Sequence, residues 1–442
     1  MKADKNLLCT ERKRHAWSLI AICLLAVLAF FPTFSNGFQM EWDDQWMVIN
    51  PQTIARLNRY WVLSVFTEPS HGQIGPLNQL MYTSLYKCFG FNATAFHTAS
   101  LILHLANVCL LYIGLGIILR DCTALPFSRR EWIALLTTVL FAVHPLQVET
   151  VAWVSASKIL LSTVFYFWGA VLLAGYLGKG NVWRYLGALL IQLLAYLSKE
   201  QAVVFPLFAT LLFLWYGIRP KDRQFWVGLT PFYLLALACA LHEVFYVSHY
   251  DLYVQGNTYV WWQRVFFGVY SIVTYFFKWL VPVNLNWMYL FPSGIGERLP
   301  WWLLFYPVLV IILACAFWKR LIKPVPLSIL AFVLIHLLLV VHVTVLPRAS
   351  VIADRYMYIS IIGLNFLLAY VLTDMACVVR WPKVSFAIVS LVVVWLMALS
   401  YLRTMDWKNS DKLRSIKSTG IHSDTNVMEK QKPRHYIPGM MK

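Results

Sequence analysis

Two adjacent carboxylates, Asp43 and Asp44, follow the first long apolar run of this chain. They stand between Trp42 and Trp46, and Glu41 precedes them closely. A carboxylate can take the proton from a hydroxyl group, and a pair of carboxylates can also hold a divalent cation. The pair is equally well explained as solvated acids of a loop. Its role therefore depends on which other groups the fold brings to it.

Further polar side chains occur in three short motifs, "HPLQVE" at 144–149, "SKEQ" at 198–201 and "ADRYMY" at 353–358. With three residues outside these motifs, the candidate side chains are His144, Glu149, Lys199, Glu200, Asp354, Arg355, Tyr356, Asn78, His97 and Lys158. Each group has a structural interpretation as well. His144 could cap a helix end, Lys199 and Glu200 could form a local ion pair, and His97 could bond to a neighbouring helix.

The composition determines the class of protein. Of 442 residues, 60% are hydrophobic and only 13% are charged, which is too little charge to cover the surface of a soluble domain. Apolar runs long enough to cross a bilayer recur along most of the chain. The net charge of +17 does not indicate nucleic acid, because Lys and Arg cluster between the apolar runs. The eight cysteines are scattered along the chain. This spacing indicates small core residues and does not indicate a disulfide framework.

The order of apolar runs and basic clusters predicts an all-α polytopic membrane protein. A basic N-terminus precedes the first span at 16–34, which we interpret as uncleaved, with its start in the cytoplasm. The region 247–299 either crosses the membrane or lies at its interface. The distribution of Lys and Arg favours the interface, which gives about 11 transmembrane helices, short interfacial helices in the external loops and an external C-terminus.

In this topology the candidate carboxylates and cations gather at the external ends of the spans. A charged group within a span costs roughly 2.5–3.5 kcal/mol on insertion scales, so it is retained for function or pairing. The convergence predicts one polar cavity at the outer leaflet. Such a cavity would suit the transfer of a sugar from a polyprenyl phosphate to a hydroxyl. A carboxylate would be the base, and Lys199 and Arg355 would stabilise the departing phosphate.

The motifs resemble those of a known family. An acidic pair after the first span is typical of the GT-C glycosyltransferase superfamily. More closely, the chain resembles the transmembrane and tetratricopeptide-repeat O-mannosyltransferases and their bacterial relatives. The segments that carry this resemblance are "FHTASLILHLANV" (96–108), "FAVHPLQVETVAWVSASKILLS" (141–162), "LSKEQAVVFPL" (197–207), "KWLVPVNLNWMY" (278–289) and "ADRYMYISIIG" (353–363).

The resemblance implies an inverting transferase that uses a polyprenyl-phosphate sugar. Asp43 and Asp44 match the catalytic acidic motif. The donor phosphate would be bound by Lys199, Arg355 and Lys158, and the supporting residues would be Glu200, His144, Glu149, Asp354, Tyr356, His97 and Asn78. Residues 1–403 would form the GT-C-like transmembrane catalytic domain. Residues 404–442 would form a short tail that resembles the start of a truncated repeat region.

Several alternatives remain open. The family's second histidine is Gln147 here and its charged segment reads Ser157, Lys158, Ile159, so an inactive relative is one alternative. The acceptor is predicted to be a protein Ser or Thr, and mannose is the first candidate for the sugar. A lipid or cell-envelope glycan is the alternative acceptor. A transporter or flippase is disfavoured because no internal repeat is visible and the polar groups lie at the outer edge.

The expected location is a bacterial inner membrane facing the periplasm, or an endoplasmic reticulum membrane facing the lumen. Membrane lipid is an expected partner, and a divalent metal is possible.

Overall fold

The computed structural model describes residues 2–40, 42–49, 62, 64–66, 75–249, 259–342, 350–378 and 382–416. Glu41, most of the predicted external loop between 50 and 74, and the tail from 417 to 442 lie outside the described residues. The predicted tail domain is thus described only as far as residue 416. Its division from the transmembrane domain stays a prediction.

The described chain is helical. The first helices are α1 (Lys2–Ala29), the short α2 (Asp43–Met47), α3 (Pro76–Phe89), α4 (Ala93–Cys122) and α5 (Phe127–Val143). The next are α6 (Val148–Ala152), α7 (Ser157–Lys179), α8 (Val182–Ser198), α9 (Phe205–Trp215) and α10 (Arg223–His249). The last are α11 (Trp261–Leu280), α12 (Phe305–Leu321), α13 (Pro324–Leu337), α14 (Met357–Val378), α15 (Pro382–Asp406) and α16 (Ser410–Ser415). In this part of the chain we find no β-strand, only an isolated bridge between Tyr289 and Ile352.

Several of these helices are long and apolar enough to cross a membrane. They are the candidate spans Ala93–Cys122, Val154–Lys179, Arg223–Phe245, Trp301–Leu321, Asp354–Met375 and Phe386–Asp406. A seventh is formed if Phe127–Val143 and Pro145–Ala152, which meet at 54°, count as one bent span. The prediction of a polytopic helical membrane protein is thereby confirmed. By length and composition the described residues account for six or seven spans, so the figure of about 11 stays a prediction.

The helices pack so that the motif-bearing ends meet. Helix α7 runs along both α4 and α8, and α14 packs between α5 and α13. Each motif forms a short 3₁₀ turn where one of these helices begins or a helix breaks, as at Pro145–Gln147, Val154–Ala156, Glu200–Val204 and Asp354–Tyr356. Backbone groups at helix ends lack intrahelical partners, so polar side chains collect there. The turns therefore bring the candidate residues close together.

Helix α11 has two different faces. Gln263, Phe267, Ser271 and Tyr275 are buried on one face. Exposed residues of the other face include Trp261, Trp262, Val265, Phe276 and Phe277. An amphipathic helix with exposed tryptophans is typical of a helix in the membrane interface. This pattern favours the interfacial alternative for the region 247–299.

Candidate functional site

Asp44 is a fully buried acceptor of hydrogen bonds. Its carboxylate accepts one from the Gln39 amide at 2.9 Å and one from the Ser155 amide at 2.8 Å. The Ser155 hydroxyl donates a third, short hydrogen bond to the same carboxylate. Ser155 lies in the 3₁₀ turn before α7, so Asp44 connects the segment after α1 to the helices that carry the motifs. A buried carboxylate needs such donors because its desolvation is costly.

The environment of Asp44 predicts a pH-dependent contribution to stability. Burial raises its pKa to about 6 from the ordinary 3.8. Because the folded state then binds the proton more tightly than the unfolded state, this contribution is complete below about pH 4 and is lost as the pH rises through about 6. Over that window the loss is about 3 kcal/mol. We expect the Tm of wild type minus that of Asp44→Asn to fall between pH 4.5 and 7, measured by thermal unfolding in detergent. A difference that is constant with pH would contradict this account.

Asp43 has a different environment from its neighbour. It is half-exposed at the start of α2, and its carboxylate accepts no hydrogen bond from the described residues. Its charge acts on the Lys158 ammonium and on the Arg355 guanidinium. Of the two adjacent acids, Asp43 is thus the one that a substrate hydroxyl could reach.

Three cations, Lys158, Lys199 and Arg355, belong to the surroundings of Asp43. Lys158, in the first turn of α7, is buried, with its Nζ 3.6 Å from the Met47 sulfur. The charges of Asp43, Lys199, Glu200 and Arg355 all act on it. Lys199 follows α8 and pairs with Glu200 at 2.5 Å between Nζ and Oε1. Five charged residues from four separate segments thus form one electrostatic group.

A narrow cleft opens beside this group. Lys199, Gln201, Arg355 and Tyr356 line one part of it. Deeper in the bundle it is lined by the hydrogen-bonded pair of Tyr166 and His336 and by Ser162, Thr163, Tyr358 and several apolar side chains. Of the three cations assigned to a phosphate from the sequence, Lys199 and Arg355 line this cleft, and Lys158 is not among its lining residues.

Arg355 is held by a buried acid. Its guanidinium forms an ion pair with Glu149, and its backbone amide donates to Glu149 Oε2 at 2.9 Å. The Glu149 side chain is 2% exposed and that of Arg355 is 25% exposed. The guanidinium also lies over the Trp153 and Tyr356 rings, 5.2 and 4.9 Å from their centroids. Glu149 and Tyr356 thus support Arg355, and part of the guanidinium remains accessible.

The other predicted site residues are placed in structural contacts. His144 receives a hydrogen bond from the Leu146 amide on Nδ1 and donates from Nε2 to the Trp279 carbonyl at 3.0 Å, so both ring nitrogens are engaged with backbone. Asp354 is buried and accepts from the Tyr289 hydroxyl at 2.8 Å. His97 contacts the Gly37 carbonyl at 3.3 Å, and Asn78 donates to the Ser198 carbonyl at 2.5 Å. The structure does not bring these four into the cleft lining described above.

Sequence reasoning missed an aromatic cluster beside the acids. Trp42 contacts Trp287 and Trp153 with ring centroids 4.2 and 6.2 Å apart, and Trp153 stacks on Trp407 at 5.7 Å. It also missed Ser155, the partner of Asp44. The clustering of tryptophans within short segments signalled aromatic contacts, but no spacing in the sequence identifies their partners.

A metal site was left open by the sequence. Within the described residues, no group of three or more His, Cys, Asp or Glu side chains is arranged to hold a metal ion. The carboxylates of Asp43 and Asp44 do not share a ligand, since the Asp44 carboxylate accepts hydrogen bonds from Gln39 and Ser155.

Comparison with known proteins gives a family relationship. No protein-family model matches the chain. Protein O-mannosyl-transferase Tmtc3 of Drosophila melanogaster is 26% identical over an alignment of 174 residues that covers 35% of this chain and 18% of the fly protein. TMTC4 of Mus musculus is 24% identical over 163 residues, 34% of this chain and 22% of that protein. TMTC1 of Mus musculus is 29% identical over 133 residues, 28% of this chain and 13% of that protein.

The matched segments thus span about a fifth or less of each relative. The chain is therefore related to the TMTC protein O-mannosyl-transferases over about a third of its length.

Proposed function

We propose that the chain is a membrane glycosyltransferase. It moves a sugar, with mannose the first candidate, from a polyprenyl-phosphate donor to a protein Ser or Thr hydroxyl, with inversion. The proposal rests on one observation: Asp43 shares an electrostatic group with Lys158, Lys199 and Arg355 beside a cleft. The relationship to proteins named O-mannosyl-transferases supports this reaction class.

The proposed chemistry uses this chain's own residues. Asp43 takes the proton of the acceptor hydroxyl, whose oxygen attacks the anomeric carbon of the sugar. The bond from that carbon to the phosphate oxygen breaks, and the electron pair leaves with the phosphate. The lipid phosphate then gains a negative charge, which Lys199 and Arg355 offset together with Lys158. Attack opposite the leaving group inverts the anomeric centre.

The membrane topology is part of the proposal. The six or seven candidate spans, three shorter apolar helices and the apolar second half of α1 would make about 11 spans in a GT-C-like bundle. Helix α11 would lie in the interface. The site would then face the periplasm, or the lumen of the endoplasmic reticulum. Residues 1–403 would carry the catalytic unit.

The test is a reconstituted transfer reaction. The purified chain in lipid bilayers is supplied with polyprenyl-phosphate mannose and Ser/Thr-rich peptides, and the products are identified by mass spectrometry. Hexose on the peptide is the expected result. If sugar is transferred only to an added glycan or lipid and not to the peptide, the acceptor is the alternative one, a lipid or cell-envelope glycan. Transfer from a nucleotide sugar but not from the lipid-linked sugar would contradict the donor assignment.

Lys199→Met is expected to weaken use of the donor. Loss of a cation that meets the phosphate should raise the KM for the lipid-linked sugar by about ten-fold, about 1.4 kcal/mol, and lower kcat as well. Lys199→Arg should retain part of the activity. The matched control is Lys179→Met, at the last turn of α7, which should have no effect on either constant. An unchanged donor KM in Lys199→Met would remove Lys199 from the phosphate site.

A further inference from the structure

A second cavity has a lining that shares no residue with the proposed donor cleft. It is formed between the start of α11 and the segment 295–304, and its volume is about 720 Å³, within the size range of pockets that bind small molecules. Lys278, in the last turn of α11, lies over the ring of Tyr289, whose hydroxyl donates to Asp354, the residue before Arg355. Fifteen residues of helix separate Gln263 from Lys278, roughly 22 Å. The cavity is therefore separate from the proposed donor cleft.

The walls of this cavity combine aromatic and charged side chains. Trp262 and Trp301 line it, and they are 43% and 70% exposed. Arg298 and Glu297 also line it. Arg298 forms no salt bridge in the described part of the chain, whereas Glu297 Oε2 accepts from the Gly294 amide at 2.7 Å. The cavity thus offers one cation, one anion and two indole rings.

The wall is held in place by a buried side chain. Gln263 accepts from the Val260 amide at 3.3 Å and donates to the Glu297 carbonyl at 2.8 Å. One residue therefore connects the start of α11 to the loop that carries both charges. Gln263 is only 4% exposed, so the connection is shielded from water.

The cavity continues onto an apolar helix. Its lining includes Leu303 and Leu304, directly before α12. Helix α12 has no buried residue, and it exposes Phe305, Val308, Ile311 and Ile312. In a membrane protein such a face is covered by acyl chains, and exposed tryptophans lie at the level of the headgroups. The occupant should therefore have an apolar chain below a headgroup.

We propose that this cavity binds a phospholipid with a zwitterionic headgroup, its acyl chain lying along α12. Arg298 pairs with the phosphate, and the ammonium group lies against Glu297 and the indole rings of Trp262 and Trp301. An anionic headgroup without an ammonium group would leave the negative charge of Glu297 without a lipid cation to neutralise it. Charge complementarity thus favours the zwitterionic lipid. This site is independent of the proposed transferase activity.

The experiment uses the full chain in nanodiscs that contain a phosphatidylethanolamine with a photoreactive group on its acyl chain. Crosslinked peptides are quantified by mass spectrometry, and we expect labelling of residues within 295–312. Arg298→Gln and Glu297→Gln should each reduce this labelling by about ten-fold. Trp183→Ala, which removes an exposed tryptophan at the start of α8, should leave it unchanged.

Competition on the wild-type chain keeps the test independent of the variants. Unlabelled phosphatidylethanolamine should displace the probe, and phosphatidylglycerol should displace it at least about ten-fold less well. Equal displacement by both lipids would overturn the headgroup assignment. Equal labelling of wild type and Arg298→Gln would show that the probe samples only the general lipid surface, and the site would be rejected.

Discussion

Asp43→Asn should abolish sugar transfer while leaving the fold intact. A positioned general base contributes about 10²–10⁴-fold to a rate, and an amide cannot take the proton. Asp43 is half-exposed and accepts no hydrogen bond from the described residues, so its replacement by the isosteric amide breaks no hydrogen bond there. The measurement is kcat with polyprenyl-phosphate mannose and peptide, alongside the Tm of the same preparation. We expect kcat to fall by at least about 10² with no change in Tm.

Asp44→Asn is the matched control, since it makes the same chemical change one residue later. Asp44 is buried and holds Gln39 and Ser155, so its replacement should change the Tm and its pH dependence more than it changes kcat. The reverse pattern, with kcat lost in Asp44→Asn and kept in Asp43→Asn, would assign the base to Asp44. Transfer that survived both substitutions together would exclude an acidic base in this segment.

The different roles of the two adjacent acids, a base for Asp43 and a buried structural acceptor for Asp44, could not be predicted from the sequence. The pair itself was visible in the sequence, because two adjacent carboxylates follow the first apolar run directly. Which of the two is buried depends on the orientation of the five-residue helix α2 and on Ser155, 111 residues later in the chain. Neither can be derived from local propensity. The same limit applies to the tryptophan cluster, whose members come from four separate segments.

The fold class was more predictable than the site. Apolar length and the low charge content indicated a polytopic helical protein, because the bilayer permits few other structures. The histidines were harder to interpret. His144 lies in a motif, yet both its ring nitrogens bond to backbone groups, Nδ1 to the Leu146 amide at the break between α5 and α6 and Nε2 to the Trp279 carbonyl near the end of α11. A polar side chain at a helix break can form hydrogen bonds with unpaired backbone groups or with a substrate. The sequence alone does not distinguish these two roles.

Arg355→Met should be among the most destabilising substitutions in the described chain. Glu149 is 2% exposed and forms a salt bridge with Arg355. Removal of one partner of a buried ion pair leaves a desolvated charge and costs about 3–5 kcal/mol. The variant also loses the contacts of the guanidinium with Trp153 and Tyr356. The measurement is the free energy of unfolding in detergent micelles, with Arg120→Met as a control, because that arginine side chain is 56% exposed in its salt bridge to Asp121.

A double-mutant cycle separates the charge from the packing. If the cost arises from an uncompensated Glu149, then Glu149→Gln combined with Arg355→Met should recover part of the stability lost in Arg355→Met alone, by about 1–3 kcal/mol. Transfer activity should not return, because the phosphate-binding cation is still absent. Strictly additive losses would show that Glu149 and Arg355 are not energetically coupled in the folded protein. In that case Arg355 would be free to bind phosphate without first being held by Glu149, and the supporting role proposed for Glu149 would be wrong.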